Sequence, residues 1–271
     1  FEGIGRGLRF LPPLNFFKMG KIFLVSGKLK TLIFHICISI IFAAGAVFLI
    51  NLWYPGNYLY VAAGINLILL VVIVDCILGP FLTLLIYHKR KSKKEIFLDF
   101  SVIAVLQIVA LTYGLWSAYI ARPVYLVFEY QRMMVVSAID ILEKELNDAP
   151  AEFRYFPKDG PKLLSLRPFK NANEQYDSVM RAVGGQPQAA QPELWQSYDA
   201  GRQQIVDAAK PLEFLETGAV SLPQLQELIA ESGRSKDQLK YLPLLGRSGE
   251  WIFIIDASNA EPKGMIALRK D

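Results

Sequence analysis

Three long apolar stretches dominate the first 120 residues of the chain. They cover residues 31–53, 61–87 and 96–119. Between Lys30 and Lys89 the only formally charged side chain is that of Asp75. Each stretch is at least as long as the roughly 20 apolar residues that an α-helix needs to cross a bilayer. The pattern predicts a membrane domain of three transmembrane helices over residues 31–120.

The pattern changes after residue 120, where apolar and polar side chains mix as in a globular domain. Runs of β-branched and aromatic residues predict strands at residues 123–136, 251–255 and 265–268. Apolar residues at helical spacing predict helices at residues 139–147, at 192–208, and after Ser221, where Gly233 supplies the stop. Residues 184–192 are rich in Gly, Gln and Pro and predict a mobile loop or short linker. We therefore expect residues 121–271 to form one α+β domain.

Positive charge marks one side of the apolar stretches. The connection at residues 88–95 carries five Lys and Arg residues and Glu95, whereas residues 54–60 carry no charge. By the positive-inside rule, the basic connection lies in the cytoplasm. Residues 1–30 are then a cytoplasmic N-terminal arm, and residues 121–271 are periplasmic. Aromatic residues form a predicted interface belt at the outer ends of the helices, namely Trp53, Tyr54, Tyr58, Tyr60, Trp116, Tyr119 and Tyr125.

The N-terminal arm begins with Phe1, and its first methionine is Met19. Residues 1–18 are expected to be either an upstream translation or a disordered arm, with Met19 as the alternative start. We expect the first apolar stretch to be a retained helix, because it is longer than the apolar region of a cleaved signal peptide.

Composition agrees with this division of the chain. The formal net charge is +4, the mean hydropathy is +0.30, and 53% of the residues are apolar. The positive charge belongs to short flanks of the apolar stretches, since residues 121–271 hold 18 Lys and Arg against 21 Asp and Glu. Such a distribution does not fit a nucleic-acid-binding surface, and no nucleic acid is expected among the partners.

Asp75 and Asp99 are the ionisable carboxyl groups inside the predicted spans. At about 1.5 Å per residue, Asp75 lies about 18 Å and Asp99 about 5 Å from the cytoplasmic ends of their helices. This offset argues against a catalytic pair that shares a proton. By the same count Gln107 lies at the depth of Asp75, and His35 at the depth of Asp99, so we expect hydrogen bonds that organise the bundle. The alternative is that Asp75 receives a partner's transmembrane segment.

Three further residues are candidates for organising the bundle or binding a partner. Gly79 and Pro80 follow Asp75 by one helical turn, and a proline there kinks the helix and can open a lateral groove. Arg122 directly follows the third span. We expect Arg122 to anchor the chain at the membrane interface, with binding to a partner's acidic group as the alternative.

The sequence offers no familiar catalytic or metal site. Residues 121–271 contain neither His nor Cys, which excludes Ser–His and Cys–His pairs from this domain. Cys37 and Cys76 lie in different spans at different depths, so no disulfide framework is expected. His35 and His88 are the only histidines and show no metal-ligand spacing. We expect no cofactor, no metal and no enzymatic activity.

Several unusual strings occur in the order in which a known family has them. They are WYPG at residues 53–56, VDCILGPFLTL at 74–84, Asp99 through Gln107 to Tyr113-Gly114, and ARPVYLVF at 121–128. On these strings the chain resembles the TfpX/TfpZ family of type IV pilin accessory proteins over residues 35–141. Where that family continues with an Asp-Arg-Phe-like string, this chain has Tyr130-Gln131-Arg132-Met133 and shares Arg132.

The resemblance implies a multi-pass protein of the bacterial inner membrane that acts in type IV pilus biogenesis. Its expected partners are the major type IV pilin, other pilus assembly proteins and the lipid bilayer. The implied role is to bind or chaperone the major pilin and to modulate its stability or assembly, with Arg132 as a candidate partner-binding residue. The alternative is a pilin-modifying membrane enzyme that transfers a glycosyl group or cleaves within the membrane.

Overall fold

The computed structural model describes residues 16–74, 77, 79, 81–82, 92–215 and 219–269. Its first part consists of apolar helices, which are α1 (Phe16–Trp53), α2 (Tyr58–Val61), α3 (Gly64–Ile73) and α4 (Lys93–Ile120). A capping box fixes the start of α4, because the Ser92 hydroxyl accepts from the Glu95 N–H at 3.3 Å and the Ser92 N–H donates to the Glu95 carboxylate at 2.6 Å. The helix therefore begins at the end of the basic connection.

Two of these helices are long and apolar enough to cross a bilayer. The apolar parts are Leu32–Trp53 of α1 and Phe97–Ile120 of α4, and only 22% and 6% of them are buried. A core helix of a water-soluble protein would bury far more of its apolar surface. In the second predicted span, the structure describes α3 and five residues beyond Ile73. The second predicted span, residues 61–87, therefore stays a prediction.

The α+β domain is built on one mixed sheet of eight strands. The strands are β1 (Pro123–Glu129), β2 (Arg132–Ser137), β3 (Lys162–Leu166), β4 (Trp195–Ser197), β5 (Lys210–Pro211), β6 (Leu239–Gly246), β7 (Gly249–Asp256) and β8 (Pro262–Ala267). Their order is β4-β3-β1-β2-β6-β7-β8, with β5 paired to β6. The pairs β1–β3 and β2–β6 are parallel, and the other pairs are antiparallel. The helices of this domain are α5 (Ala172–Val183), α6 (Arg202–Ala208) and α7 (Leu222–Ser232).

Strand β1 is buried on both faces and lies between two of the three hydrophobic clusters of the described residues. Leu126 and Phe128 face a cluster that also contains Ile50, Tyr54, Val61 and Ala118 from the helical part of the chain. Tyr125 and Val127 point to the opposite face, as successive side chains of a strand do. Tyr125 therefore lies in the core, with its ring 4.7 Å from that of Trp195, and not in the predicted aromatic belt.

The prediction of one long strand over residues 123–136 is wrong. The segment is a β-hairpin in which Glu129 pairs with Arg132 across a two-residue turn. The turn was missed because the apolar pattern continues through both strands, and Tyr130 and Gln131 are not the Gly, Asn or Asp that usually mark such a turn.

Two helix predictions are also wrong. Residues 139–147 form parts of two separate 3₁₀ turns, Ala138–Asp140 and Glu143–Asp148, and residues 192–208 contain β4 before the short helix α6. The predicted strands at residues 251–255 and 265–268 are confirmed as parts of β7 and β8. The helix after Ser221 is confirmed as α7, and Gly233 ends it with a φ of 65°. The α+β class of the domain is confirmed.

Candidate functional site

The turn between β1 and β2 holds a tyrosine in an unusual backbone conformation. Tyr130 has a φ of 59°, and this left-handed region costs a residue with a side chain about 1–2 kcal/mol. In two-residue hairpin turns glycine normally takes such a position. The Tyr130 side chain is about half exposed, and its ring centroid lies 6.3 Å from that of Phe169. Backbone strain of this kind is concentrated at functional sites.

An ion pair closes the base of the turn. The Arg132 Nε and Nη2 atoms donate to Oε2 of Glu129 at 2.9 and 2.7 Å, and Oε1 accepts from the Ala189 N–H at 3.2 Å. Glu129 is 5% exposed and Arg132 is 46% exposed. The carboxylate is therefore fully engaged, while one side of the guanidinium faces solvent. We call Glu129, Tyr130, Gln131 and Arg132 the tip site.

Grooves lie on both sides of the tip site. The larger one, of about 620 Å³, is lined by Glu129, Tyr130, Gln131, Arg132, Met134, Ala182, Gly185, Pro187 and Gln188. The other, of about 510 Å³, is lined by Tyr130, Gln131, Gln204, Asp207, Ala208, Lys210 and Pro243. Burial and the Glu129 carboxylate raise the pKa of Tyr130. Its hydroxyl therefore stays protonated near neutral pH and offers a hydrogen-bond donor between the two grooves.

The wall of the larger groove is the segment predicted to be a mobile loop or short linker, and in the structure it is closely packed. Gln191 is fully buried, and its Nε2 donates to the carbonyl oxygens of Ser178 and Gln186 at 3.0 and 3.1 Å. Its Oε1 accepts from Arg181 at 2.9 Å. Side-chain amides thus satisfy the backbone of residues 184–192. The Gly, Gln and Pro composition that suggested mobility here serves close packing.

The helix behind this wall is fixed at its first turn. Asn171 caps α5 by accepting from the Glu174 N–H at 2.9 Å. The Glu174 carboxylate accepts from Arg167 Nη2 at 2.6 Å and Nη1 at 3.0 Å, and from the Lys170 N–H at 2.5 Å. The bonds from Arg167, and then that from the Lys170 backbone, lower the pKa of Glu174 to about 2. The negative charge is stabilised by the folded state.

Glu174→Gln is expected to lower the free energy of unfolding at pH 7 by about 1–2 kcal/mol, less than the full pKa shift implies because solvent screens this pair. A depressed pKa in the folded state contributes stability above the unfolded value near 4.5 and loses it as the pH falls toward 2. The difference between wild type and variant should therefore shrink between pH 4.5 and 2. Thermal unfolding across this range measures it, and a constant difference would contradict the assigned role.

A second candidate region lies where the apolar helices cross. A Cβ atom added at Gly79 would clash with the Gln107 amide and lie 2.8 Å from Nε2 of His35. The structure thus brings together Gly79, Gln107 on α4 and His35 on α1, although the predicted depths of His35 and Gln107 differ by about 11 Å. That count assumed that α1 begins at residue 31, whereas the helix runs continuously from Phe16. Gly79 is a close-packing position in this crossing.

Gly79→Ala is expected to destabilise the crossing by about 1–3 kcal/mol through overpacking. Gln107→Ala should recover part of this cost, so that the two changes depart from additivity by about 1 kcal/mol. Gly45→Ala on α1 is the matched control, because an added Cβ there meets nothing within 4 Å. Melting temperatures of the full chain in detergent micelles compare the variants, and equal effects at the two glycines would contradict the crossing.

The remaining predicted residues are placed as follows. Asp75 and Pro80 lie outside the described residues. Asp99 is half-buried on α4, about 12 Å along the helix from Gln107. Arg122 closes the end of α4, where its Nη1 donates to the Tyr119 carbonyl at 2.6 Å and its guanidinium lies 3.8 Å from the centroid of the Tyr119 ring. Both contacts are made within the chain, and the anchoring role of Arg122 stays a prediction.

Sequence reasoning found Arg132 but missed Glu129 and Tyr130. A visible signal was available for Glu129, because it is the one acid within the apolar run of residues 123–136, three positions before Arg132. No signal was available for the backbone of Tyr130, since tyrosine does not favour a positive φ.

Fimbrial assembly proteins of Dichelobacter nodosus are similar to this chain. The protein of serogroup I is 36% identical over 238 residues, which cover 86% of this chain and 92% of the relative. The protein of serogroup E1 is 35% identical over 240 residues, with the same two shares. The protein of serogroups C1 and C2 is 34% identical over 128 residues, or 47% of this chain and 96% of the relative. No family model and no solved structure matches the chain.

Two of these similarities extend over nearly the whole length of the relatives, so they include both the apolar helices and most of the α+β domain. The resemblance drawn from the sequence motifs is therefore confirmed at the level of fimbrial assembly. The chain belongs to the family of fimbrial assembly proteins.

Proposed function

We propose that this protein is an accessory factor of type IV pilus biogenesis in the bacterial inner membrane, where it binds the major pilin and modulates its stability or assembly. Family membership supports a role in fimbrial assembly. The TfpX/TfpZ-like strings of residues 35–141 support the narrower assignment to pilin. The basic connection at residues 88–95 supports a cytoplasmic loop, and hence a periplasmic α+β domain.

The observation that carries the proposal is the seating of the α+β domain on the ends of the apolar helices. The Tyr54 hydroxyl donates to the Ala118 carbonyl at 3.0 Å, and both residues are fully buried. The Val61 carbonyl accepts from the N–H and the hydroxyl of Ser248, each at 3.2 Å. The Tyr54 bond ties the ends of α1 and α4 together, and the Ser248 bonds and the shared core join the helices to the α+β domain.

A joined body of this kind suits a partner with one transmembrane helix and a head above the membrane, as expected of a pilin before assembly. Strand β1 rises directly from α4 and carries the tip site about 20 Å from its own first residue, at about 3.3 Å per residue. In the proposed arrangement the helices contact the pilin helix and the tip site contacts its head. Two linked contacts raise the effective concentration of each, so neither needs to be strong alone.

We further propose that the protein acts by binding and not by catalysis. Residues 121–271 contain neither His nor Cys. In the tip site, the buried Glu129 carboxylate already accepts from Arg132 and Ala189. A general acid or base needs a group that can exchange a proton with a substrate, and this carboxylate is engaged on both oxygens.

Photocrosslinking at Gln131 in native membranes tests the proposal. In cells that produce the major pilin, a pull-down should recover this protein linked to pilin of unmodified mass, and the product should be missing from cells without pilin. Deletion of the gene should lower pilin stability or surface assembly. Unchanged pilin level, mass and assembly after deletion would overturn the proposal, and a changed pilin mass would favour the enzymatic alternative.

A further inference from the structure

One segment of the α+β domain lies beside the end of α4. Strand β1 starts at Pro123, directly after α4, and β2 returns to the same level, because its last residue, Ser137, pairs with Pro123. The Ala138 N–H then donates to the Arg122 carbonyl at 3.0 Å. Residues 138–142 therefore lie next to the point where α4 ends.

A second segment, residues 154–160, lies beside the end of α1. A Cβ atom added at Gly160 would lie 3.0 Å from Cγ of Pro55, which is the second residue after α1. The same segment also reaches the end of α4, because the central guanidinium carbon of Arg122 lies 5.6 Å from the centroid of the Phe156 ring. The base of the α+β domain thus contacts both helix ends.

Both segments expose large apolar side chains. In the first segment Ile139 is 52% exposed and Leu142 is 51% exposed, and in the second segment Tyr155 is 85% exposed. We call Ile139, Leu142 and Tyr155 the basal rim. Exposed apolar side chains that are grouped in this way are typical of a surface that meets another molecule or a membrane.

Hydrogen bonds hold the backbone from which the rim projects. The Asp140 carboxylate accepts from the Ser137 N–H at 2.9 Å and from Arg247 Nη2 at 2.7 Å. In the other segment, the Tyr125 hydroxyl donates to the Tyr155 carbonyl at 3.2 Å. The position of the rim at the base of the domain is therefore part of the fold.

The spacing of the rim from the helix ends matches the headgroup layer of a bilayer. The apolar parts of α1 and α4 end at Trp53 and Ile120. Each headgroup layer is roughly 5–8 Å thick, since a bilayer of about 40–45 Å contains about 30 Å of hydrocarbon. Successive Cα atoms are about 3.8 Å apart, so Pro55 and Arg122 lie within about 8 Å of those ends. The segments that contact Pro55 and Arg122 therefore begin at the depth of the headgroups.

We propose that the basal rim enters the headgroup layer of the membrane and seats the α+β domain on it. This inference rests on the proposed function, which places α1 and α4 in the membrane. Tyrosine suits this layer because its ring is apolar and its hydroxyl is polar, and Ile139 and Leu142 gain free energy when their surface leaves water. The rim carries no charge, so it recognises the boundary of a neutral phospholipid bilayer and needs no anionic lipid.

A seated rim fixes the height of the tip site above the membrane. The α+β domain is then held to the lipid surface beside α4 and also beside α1, so it cannot tilt freely about the short link between α4 and β1. The tip site lies about 20 Å along β1 from this base. A partner whose head stands above the membrane therefore meets the tip site at a constant height.

Quenching by lipid-attached nitroxides tests the inference on the full chain in phosphatidylcholine nanodiscs. A nitrobenzoxadiazole label is placed on a single cysteine, Leu142→Cys or Tyr155→Cys, in a chain that carries Cys37→Ser and Cys76→Ser. A nitroxide on the lipid headgroup should quench both labels about twofold or more, as expected of side chains at headgroup level. Val183→Cys is the matched control, because Val183 is 77% exposed and belongs to α5, which borders the larger groove at the tip site. Its label should stay unquenched.

A label on the native Cys37 separates the inference from the proposed function. Cys37 is an exposed residue in the apolar part of α1, so nitroxides on the acyl chains should quench its label. Quenching at Cys37 without quenching at the rim would overturn the inference and leave the membrane location standing, whereas no quenching at Cys37 would refute that location itself.

Two further outcomes would also overturn the inference. Equal quenching at Val183 would show that the label, and not the rim, seeks the lipid. Protection of the rim only in nanodiscs that hold two copies of the chain would assign the rim to a second copy. Thermal unfolding of each labelled protein in detergent micelles shows that it is folded, and Leu142 and Tyr155 test the rim independently should one label impair folding.

Discussion

Tyr54→Ala is expected to lower the free energy of unfolding by about 3–5 kcal/mol, the range for a large side chain removed from a packed core. Tyr54 is fully buried where the helices meet the sheet, and its hydroxyl donates to the Ala118 carbonyl. Its ring also lies against Gly64, where an added Cβ would approach within 2.8 Å. The change would open a cavity in the one cluster that joins both parts of the molecule. Denaturant unfolding of the full chain in detergent micelles measures the loss.

Two matched variants separate packing from the hydrogen bond. Tyr54→Phe keeps the ring and should cost about 1 kcal/mol. Tyr60→Ala changes the same connection at an exposed side chain and should cost less than about 1 kcal/mol. Burial raises the pKa of Tyr54 to about 12. The contribution of its hydroxyl is therefore complete below pH 10 and declines as the pH rises from 10 to 12. Equal losses for Tyr54→Ala and Tyr60→Ala would show that the domain is not seated on the helices.

Tyr130→Gly is expected to separate stability from function. Glycine adopts a positive φ without strain, so the turn should keep or gain up to about 1 kcal/mol of stability. The side chain that stands between the two grooves is lost, and pilin binding should fall about tenfold or more, as for an aromatic residue at the centre of an interface. Thermal unfolding and pilin affinity measured on the same preparation give both quantities.

Tyr130→Phe is the companion to this variant. It keeps the ring and the backbone strain and removes only the hydroxyl, so a loss of binding in Tyr130→Phe would assign the recognition to the hydrogen bond. Full binding by Tyr130→Gly would be contrary to our proposal and would leave Tyr130 as a strained turn residue with no role in recognition.

Long-range patterns in the sequence predicted the parts of the fold that depend on composition alone. The charge-free stretches predicted the positions of α1 and α4, because 20 or more residues without charge are typical of a helix long and apolar enough to cross a bilayer. Strands β7 and β8 were predicted from runs of β-branched and aromatic residues, and helix α7 from helical spacing with Gly233 as its stop. The hairpin turn at Tyr130 was missed because its shape is imposed by the pairing of β1 with β2, and not by turn residues.

The functional surfaces were the least predictable part. Tyr176, Val179, Met180 and Val183 recur at helical spacing on α5. Such amphipathic spacing alone predicts a buried apolar face, whereas in the structure this face is exposed. The exposure of this face follows from hydrogen bonds between the polar face of α5 and residues outside the helix, such as Arg167 and Gln191. Arg132 was found through family resemblance, whereas its partner Glu129 required knowledge of which side chains are buried. The role of Asp75 stays a prediction, because Asp75 lies outside the described residues.

The shared core has a consequence for how the protein is made. Ile50, Tyr54 and Val61 pack in the same cluster as Leu244 and Phe253, so residues nearly 200 positions apart complete one core. Contacts of such separation form slowly, because the loop between them must close first. The sheet can reach its final packing only after β6 and β7 have been synthesised, and only if the helices are already in place. A fragment beginning at residue 121 would leave one face of the sheet uncovered and is expected to aggregate, so the α+β domain depends on the apolar helices to complete its core.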